Sequence, residues 1–566
     1  MPTTPESPAV ERALAAYGAE AEVYRRSGAW TDQTIVEMFQ GWAERQPDAF
    51  AVSTIEGALT YGELDRRSDA VALGLVEAGL SPGSPVLFQM GNELETVVTY
   101  YGVLKAGAVP VCSIPNHRLH EMRHIAEACG AAGHVYQGDY RNYDLEGLSA
   151  ALASHCPEIG VRVAARGRAP EGVLSLEAIV ETADPKRARE VVDAVQREVA
   201  AEDLAIFQLS GGTTGIPKVI PHTHETYLSI AARWTAGLRW DEQSINLHFI
   251  PLMHHAGLGT FMTPTHFAGG NMVLGRAVDA KLMVELIEQY RVTCSHFNVV
   301  AAQPLLDYSA QVDCDFSSIT HFICTWGPMR PELAAEMEDL FGAPGLGSFG
   351  MGEGVHLYAL RDDPIEIRRH TLGSTIGPHD EVVVRHPGTD EEVPHGEMGE
   401  LTFRGPSVIR SYLDPEHSAT GFTDDGFLRS GDLGKAHVFG DRICYTLEGR
   451  IKDQISRGGE KFMATELEAL LVRHPEVREV AAFGVPDARL GERVCVAVVP
   501  EPAAGSTDPE ELRLRLVEFL DLRDVAKFKW PERIMVLDEL PKPRDGGKVQ
   551  KHVLRDRATS ESTGVQ

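Results

Sequence analysis

From about residue 50 the chain alternates short β-rich runs with segments of helical period, and few folds satisfy that pattern. The stretch "TYGELDRRSDAVALGLVEAGL" sets Leu64, Val71, Leu75 and Ala78 on one helical face. "PVLFQM" then reads as a buried strand, "ETVVTYYGVLKAG" as a helix and "VPVCSI" as another strand. A charged helix, "DPKRAREVVDAVQREVAAED", precedes the strand "LAIFQL", and further strands are expected in "INLHFI", "CSHFNVV" and "THFICTW". Strand and helix in turn imply α/β layers, because each sheet face must be covered by the helices between its strands.

At 566 residues the chain exceeds what one hydrophobic core supports, so several packed units are expected. Composition shifts near residue 450: the helix "ATELEALLVRHPEV", with Ala464, Leu467, Leu470 and Leu471 on one face, is followed by strands "VAAFGVP" and "RVCVAVVP". This is a self-contained α+β module of roughly 110 residues, a usual domain size. The fold class is therefore α/β, with a large multi-subdomain N-terminal domain of layered sheets and helices over 1–450 and a small α+β C-terminal domain over 451–558. Residues 559–566 read as a frayed tail.

The 82 acidic and 53 basic side chains give a formal charge of −29, which argues against nucleic acid or an anionic membrane surface as the main partner. Eight scattered cysteines with no CxxC pair read as reduced, mostly buried thiols of a cytoplasmic protein. No secretory leader and no apolar run of about 18 residues is seen, so neither secretion nor membrane insertion is expected.

The loop Ser210, Gly211, Gly212, Thr213, Thr214, Gly215, Ile216, Pro217, Lys218 follows an apolar strand. Its glycines free the backbone to turn N–H groups inward, its hydroxyls add donors and Lys218 adds charge, which suits a triphosphate or pyrophosphate. The spacing is not the Walker pattern, and alone the loop reads equally well as a plain turn.

Five further blocks follow in order: "FGMGEG" at 349–354, "GELTFRG" at 399–405, "RSGDL" at 429–433, "EGRIKDQISRGGEK" at 448–461 and "GGKVQK" at 546–551. Together with the loop they resemble the signatures of the adenylate-forming superfamily of acyl-CoA ligases, peptide-synthetase adenylation domains and luciferases. Within it the chain is most similar to stand-alone aryl-acid AMP ligases of the dihydroxybenzoate-activating type, enzymes of secondary-metabolite biosynthesis. The resemblance implies ATP and Mg²⁺, a small-molecule acid joined to AMP with loss of pyrophosphate, and a C-terminal domain that moves between half-reactions.

Residue by residue, the resemblance makes Lys548 the catalytic lysine that contacts the carboxylate and the α-phosphate. Lys218 adds charge at the phosphates, and Glu353, with Thr213, becomes the Mg²⁺ ligand. Asp432 would accept the ribose hydroxyls and Arg450 would add a ribose or phosphate contact. Gly327, Pro328, Ser348, Phe349, Gly350 and Met351 complete the nucleotide side. Lys452 falls at the hinge, and Gly458 and Gly459 would line the path of a pantetheine thiol, from CoA or from a separate carrier protein.

The histidine pairs, His222 with His224 and His254 with His255, lack a third ligand at zinc-like spacing, so metal binding is not expected. His254 matches the family's gate over the acid pocket. Here the match breaks. Where the dihydroxybenzoate enzymes carry Asn-Tyr after the gate, this chain has His255 and Ala256, and its further wall positions are Thr260, Trp326, Met329, Ser348, Gly352 and His356. Small Gly352 is expected to open space that Met329 partly fills. Two imidazoles and a serine suit an acid with an extra polar substituent, such as an amino- or hydroxy-benzoate, a cinnamate or a heteroaromatic acid, rather than 2,3-dihydroxybenzoate or salicylate. Two alternatives stand beside this reading: activation of nitrite for attack by an aromatic amine, and a non-catalytic nucleotide-binding relative.

Overall fold

The computed structural model describes residues 15–141, 143–210, 217–324, 331–457, 460–487, 490–502, 508–523, 525–542 and 549–563. It divides into two compact units, one of Met1–Val382, Thr402–Arg429 and Val438–Tyr445, the other of Val383–Leu401, Ser430–His437 and Thr446–Gln566.

The first unit is built on two layered sheets. One has eight strands in the order His356–Tyr358, Gly345–Gly350, His321–Cys324, Cys294–Phe297, Ile245–His248, Asn271–Leu274, Phe50–Thr54 and Gly57–Thr60. The other has seven, ordered Leu174–Ser175, Val161–Ala165, Gly133–Gln137, Pro85–Gln89, Val109–Val111, Leu204–Leu209 and Val219–Thr223. The interior strands run parallel, as α/β alternation requires, and antiparallel pairs close three of the edges, while Leu174–Ser175 joins its edge in parallel. The first predicted helix spans Tyr61–Glu77 and starts where Thr60 and Glu63 cap each other's backbone N–H groups. Its face, with Leu64, Val71 and Leu75 buried, joins the largest core cluster.

A four-stranded sheet is ordered Glu381–Arg385, Met398–Arg404, Leu428–Phe439 and Arg442–Arg450. In the second unit Glu460–Met463, Gln454–Arg457, Gly491–Pro500 and Val477–Asp487 form a sheet, with Arg533–Val536 parallel to Gly491–Pro500. Helices Ala464–Leu471 and Pro509–Asp521 cover it, burying Leu467, Leu471, Leu512 and Leu516 against its valines.

Three elements differ from the sequence expectation. "CSHFNVV" is a strand only to Phe297, because Asn298 caps a helix, Val299–Ser309, by accepting from the Ala301 N–H at 2.9 Å. The helix begun at Ala464 ends at Leu471, ahead of the His474-Pro475 step that disfavours helical backbone. The tail expected to fray from residue 559 is instead helical through Thr563 in the element Lys551–Thr563, with Leu554 and Ala558 packed in a core cluster. All eight cysteines are free, six of them buried. Among the described residues no helix is long and apolar enough to cross a membrane.

Candidate active site

The glycine loop is tied at its foot. Lys218 N–H donates to Ser210 Oγ at 3.0 Å, and Ser210 N–H donates to the Lys218 carbonyl at 3.0 Å. Gly211, Gly212, Thr213, Thr214 and Gly215 lie outside the described residues, as do Trp326, Gly327, Pro328, Met329, Gly458, Gly459 and Lys548. The Lys218 ammonium stands 4.4 Å from the centroid of the Tyr412 ring, a cation–π contact that holds the charge at the base of the loop.

The same tyrosine meets the expected metal ligand. Glu353, 5% exposed, accepts from Tyr412 Oη at 2.9 Å through Oε1, and its own carbonyl accepts from Ile409 N–H at 3.0 Å. Burial, and then Glu353, push the Tyr412 phenol far above its usual range, so Tyr412 stays neutral and acts as the donor. The next residue must be glycine. Gly354 has φ +89°, and a Cβ there would fall 1.8 Å from the Ser407 carbonyl oxygen. A buried carboxyl group held by a neutral donor offers hard oxygen atoms, so this residue fits Mg²⁺. Sequence reasoning missed Tyr412, which lies 59 residues from Glu353 in an unremarked segment.

On the other side of the same backbone turn the chemistry is neutral. His222 Nε2 donates to the Gly352 carbonyl at 2.8 Å, and its Nδ1 faces Thr226 Oγ1 at 3.4 Å. His255 and His356 meet Nε2 to Nε2 at 3.0 Å across 101 residues. One of the two rings must donate and the other accept, so the pair shares a single bridging proton. His255 sits where Gly259 leaves room, since a Cβ on Gly259 would come within 2.4 Å of the ring. Its Nδ1 is buried without a hydrogen-bond partner. Trp234 meets His356 edge-on at 5.7 Å.

Burial drives all three imidazoles toward the neutral form: His222 is pushed down to about 4, His356 to about 3 and His255 well below its usual range. The Gly352 carbonyl partly offsets this at His222, and the Gly354 carbonyl does so at His356. Among the described residues no group of three or more His, Cys, Asp or Glu side chains is arranged to hold a metal ion. His222 was read in the sequence only as half of an HxH pair; its bond to Gly352 could not be seen there.

The remaining wall residues take more ordinary positions. Half-buried His254 caps the short helix His255–Gly257 by accepting from Ala256 N–H at 3.3 Å, and the chain then passes into a π-helical turn, Leu258–Met262. Such turns bulge a helix outward and recur at functional sites. Thr260 donates to the Ala256 carbonyl at 2.7 Å and Ser348 to the Cys324 carbonyl at 2.9 Å, so both hydroxyls serve the backbone first. Gly352 does not open space as expected: a Cβ there would meet Ile220 Cδ1 at 3.1 Å, so Ile220 occupies that room. Phe349 stacks on Phe403, and Gly350 and Met351 follow at the end of the strand.

In the second unit Asp432, 3% exposed, is paired with Arg450 Nε at 3.1 Å, and its N–H donates to Ser430 Oγ at 3.0 Å. The expected ribose carboxylate and its neighbouring guanidinium thus hold each other. Lys452 lies in the turn Ile451–Asp453, where burial and then Arg450 lower its pKa, and its carbonyl accepts from Arg555 at 2.9 Å.

Comparison with known proteins agrees along the whole chain. Residues 39–413 match the AMP-binding enzyme family and residues 466–546 its C-terminal domain. The chain is 35% identical to a salicylyl-CoA synthase / salicylate adenylyltransferase of Streptomyces sp over 96% of this chain and 97% of the relative. It is 33% identical to the 2,3-dihydroxybenzoate-AMP ligase of Bacillus subtilis (strain 168), over 95% and 96%. The fold matches the apo structure of Mycobacterium smegmatis MbtA with TM-score 0.72 at 30% identity, covering 97% of this chain and 100% of that one. The paired sheets, the clamped glycine loop and the buried Glu353 therefore belong to an adenylate-forming ligase, a member of the AMP-binding enzyme family whose relatives are aryl-acid AMP ligases.

Proposed function

We propose that the protein activates a substituted aromatic or heteroaromatic carboxylic acid as its acyl-AMP, releasing pyrophosphate, and passes the acyl group to the thiol of CoA or of a carrier protein. The observation that carries the choice of acid is the neutral His255–His356 pair at 3.0 Å, in which His255, with Ala256 after it, takes the place of the related enzymes' Asn-Tyr. A shared proton and an unpartnered His255 Nδ1 call for a polar substituent on the acid, and the neutral form of both rings calls for an uncharged one. Because His255 and Ala256 replace the Asn-Tyr that meets an ortho hydroxyl, salicylate and 2,3-dihydroxybenzoate, named for the relatives, are not the preferred acids here.

In this reading residues 1–450 bind acid and ATP, residues 451–558 form the mobile domain, and Lys452 is its hinge. Lys548 meets the carboxylate and the α-phosphate, Lys218 and the loop 210–215 hold the phosphates, and His254 gates the acid. Gly327, Pro328, Ser348, Phe349, Gly350 and Met351 flank the nucleotide. Asp432 turns from Arg450 toward the ribose hydroxyls, and Gly458 and Gly459 line the thiol's path. Glu353 and Thr213 would hold Mg²⁺, which supplies positive charge to the leaving pyrophosphate. The family match over both parts of the chain and the buried carboxylate of Glu353 support these roles.

Pyrophosphate exchange across a panel of amino- and hydroxy-benzoates, cinnamates and heteroaromatic acids tests the reading. Exchange with at least one neutral-substituted aryl acid, above that with salicylate, is expected. Exchange only with nitrite in the presence of an aromatic amine would overturn it.

A further inference from the structure

The loop 405–412 carries the groups that set the Glu353 turn. It is irregular backbone between the strand Met398–Arg404 and the helix Pro415–Gly421, so its carbonyls need partners from elsewhere in the fold. Toward the turn it offers the Ile409 N–H and the Tyr412 phenol, both donating to Glu353, and the Ser407 carbonyl, which closes on Gly354. Pro406, Val408 and Arg410, which alternate with these, are met instead by residues 376 to 391 positions earlier in the chain.

That earlier segment is the helix Gly18–Ser27 with the residues on either side of it. Gly28, with φ +76°, ends the helix, and Trp30 N–H donates back to the Tyr24 carbonyl at 3.1 Å. Trp30 thereby meets Tyr17 and Tyr24 edge-on, each at 5.1 Å, and all three rings are buried. Their polar tips reach one loop. Trp30 Nε1 donates to the Pro406 carbonyl at 2.8 Å, Tyr17 Oη donates to the Val408 carbonyl at 3.3 Å, and Tyr24 Oη accepts from Arg410 at 3.1 Å. Arg410, whose side chain is 5% exposed, also pairs with Glu20 and donates to the Gly426 carbonyl at 2.6 Å. The segment is tied at a second place, to the helix His224–Leu238: Arg25 donates to the Glu225 carboxylate at 2.6 and 3.0 Å, and Ile35 N–H donates to His224 Nδ1 at 3.1 Å. Apolar side chains would fill the same volume. An indole and two phenols instead fix the loop's backbone at 406 and 408 and the guanidinium at 410, each one residue from a group that meets the Glu353 turn, so a shift on one side is passed to the other.

We propose that the segment 17–30 is a brace for the Glu353 turn, with Trp30, Tyr24 and Arg410 as positioning residues for the metal and phosphate side of the reaction. They act through Ser407, Ile409 and Tyr412. The inference rests on the reading of Glu353 as the Mg²⁺ ligand.

Two measurements on the full chain test it. Amide hydrogen exchange at Ile409 in the metal-free protein reports the loop, and pyrophosphate exchange with the acid that exchanges best reports the site. Trp30→Phe keeps a ring and removes one donor. It should speed hydrogen exchange at Ile409, lower kcat roughly three- to tenfold, the worth of one hydrogen bond, and raise the Mg²⁺ concentration for half-maximal activity, with the KM for the acid unchanged within about twofold. Arg410→Ala should do more, and Arg410→Lys, which keeps the charge beside Glu20, should recover part of the loss. A lower urea midpoint with kcat and Mg²⁺ requirement unchanged overturns the inference, because the segment then serves only the stability of the fold; so does unchanged exchange at Ile409. Should Arg410→Ala fail to fold, Trp30→Phe and Arg410→Lys decide in the same way. Glu353→Gln is measured in parallel. If it lowers kcat and raises the Mg²⁺ requirement while the brace variants do neither, this inference alone fails; if Glu353→Gln does neither, the reading of Glu353 fails and the inference with it.

Discussion

Gly352 and Glu353 are adjacent, yet they face opposite chemistries. The Gly352 carbonyl accepts a hydrogen bond from His222 in a region of neutral imidazoles, whereas the Glu353 carboxyl group accepts from Tyr412, with the Lys218 ammonium over the same ring. Burial is deep in both places, so burial alone does not decide the charge. A carboxylate stays charged in the interior when a donor and a nearby cation offset its desolvation, and an imidazole without such partners loses its proton instead. The side with Lys218 and Glu353 suits phosphate, which an adenylate-forming reaction must handle. The neutral side suits an uncharged substituent, which differs from acid to acid.

That division is open to attack from both sides. The largest effect is expected from Lys548→Ala, which should reduce pyrophosphate exchange roughly 100- to 1000-fold, the usual cost of one electrostatic contact to a transition state; undiminished exchange would remove the assigned mechanism. Glu353→Gln should lower kcat roughly 100-fold and raise the Mg²⁺ requirement while leaving the order of acid preference intact. A changed order would mean that the two sides are not separate.

His255→Asn and His356→Val should shift acid selectivity about 10- to 100-fold with little change in the KM for ATP, as loss of a buried polar match does. Equal damage to both parameters would break the comparison from the other direction. Tyr412→Phe leaves the ring under Lys218 and removes one hydrogen bond from Glu353, so a loss of about tenfold in kcat/KM is expected.

The smallest effect is on stability. His222 titrates near 4 in the folded chain against an ordinary 6.5, so below 6.5 the unfolded chain binds a proton that the folded chain does not. Its contribution is fully present above about 6.5 and is lost as pH falls toward about 4, at roughly 1.4 kcal/mol per pH unit for such a group. Urea midpoints measured between those limits should fall with acidification, and His222→Gln should flatten the slope.

Much of this was legible in the chain, for identifiable reasons. The helix Tyr61–Glu77 was readable because its apolar period and its Thr60–Glu63 cap are both local. The helix starting at Val299 was not, because the apolar run 299–302 reads as a continuation of the strand and hid the Asn298 cap. The glycine loop was readable because backbone N–H groups can surround a phosphate only if neighbouring residues turn together, which forces the motif to be contiguous.

The pocket has the opposite logic. Its contacts join separate elements: His255, in a short helix, finds His356 at the start of a strand, and Tyr412 finds Glu353, across 101 and 59 residues, and no local pattern records either meeting. By itself the sequence determined the α/β layering and the joining of an anion to AMP, since both rest on periodicity and contiguous loops. Only the tertiary structure decided that Gly352 opens no space, that Tyr412 donates to Glu353 and that His255 meets His356, because packing alone brings distant residues together.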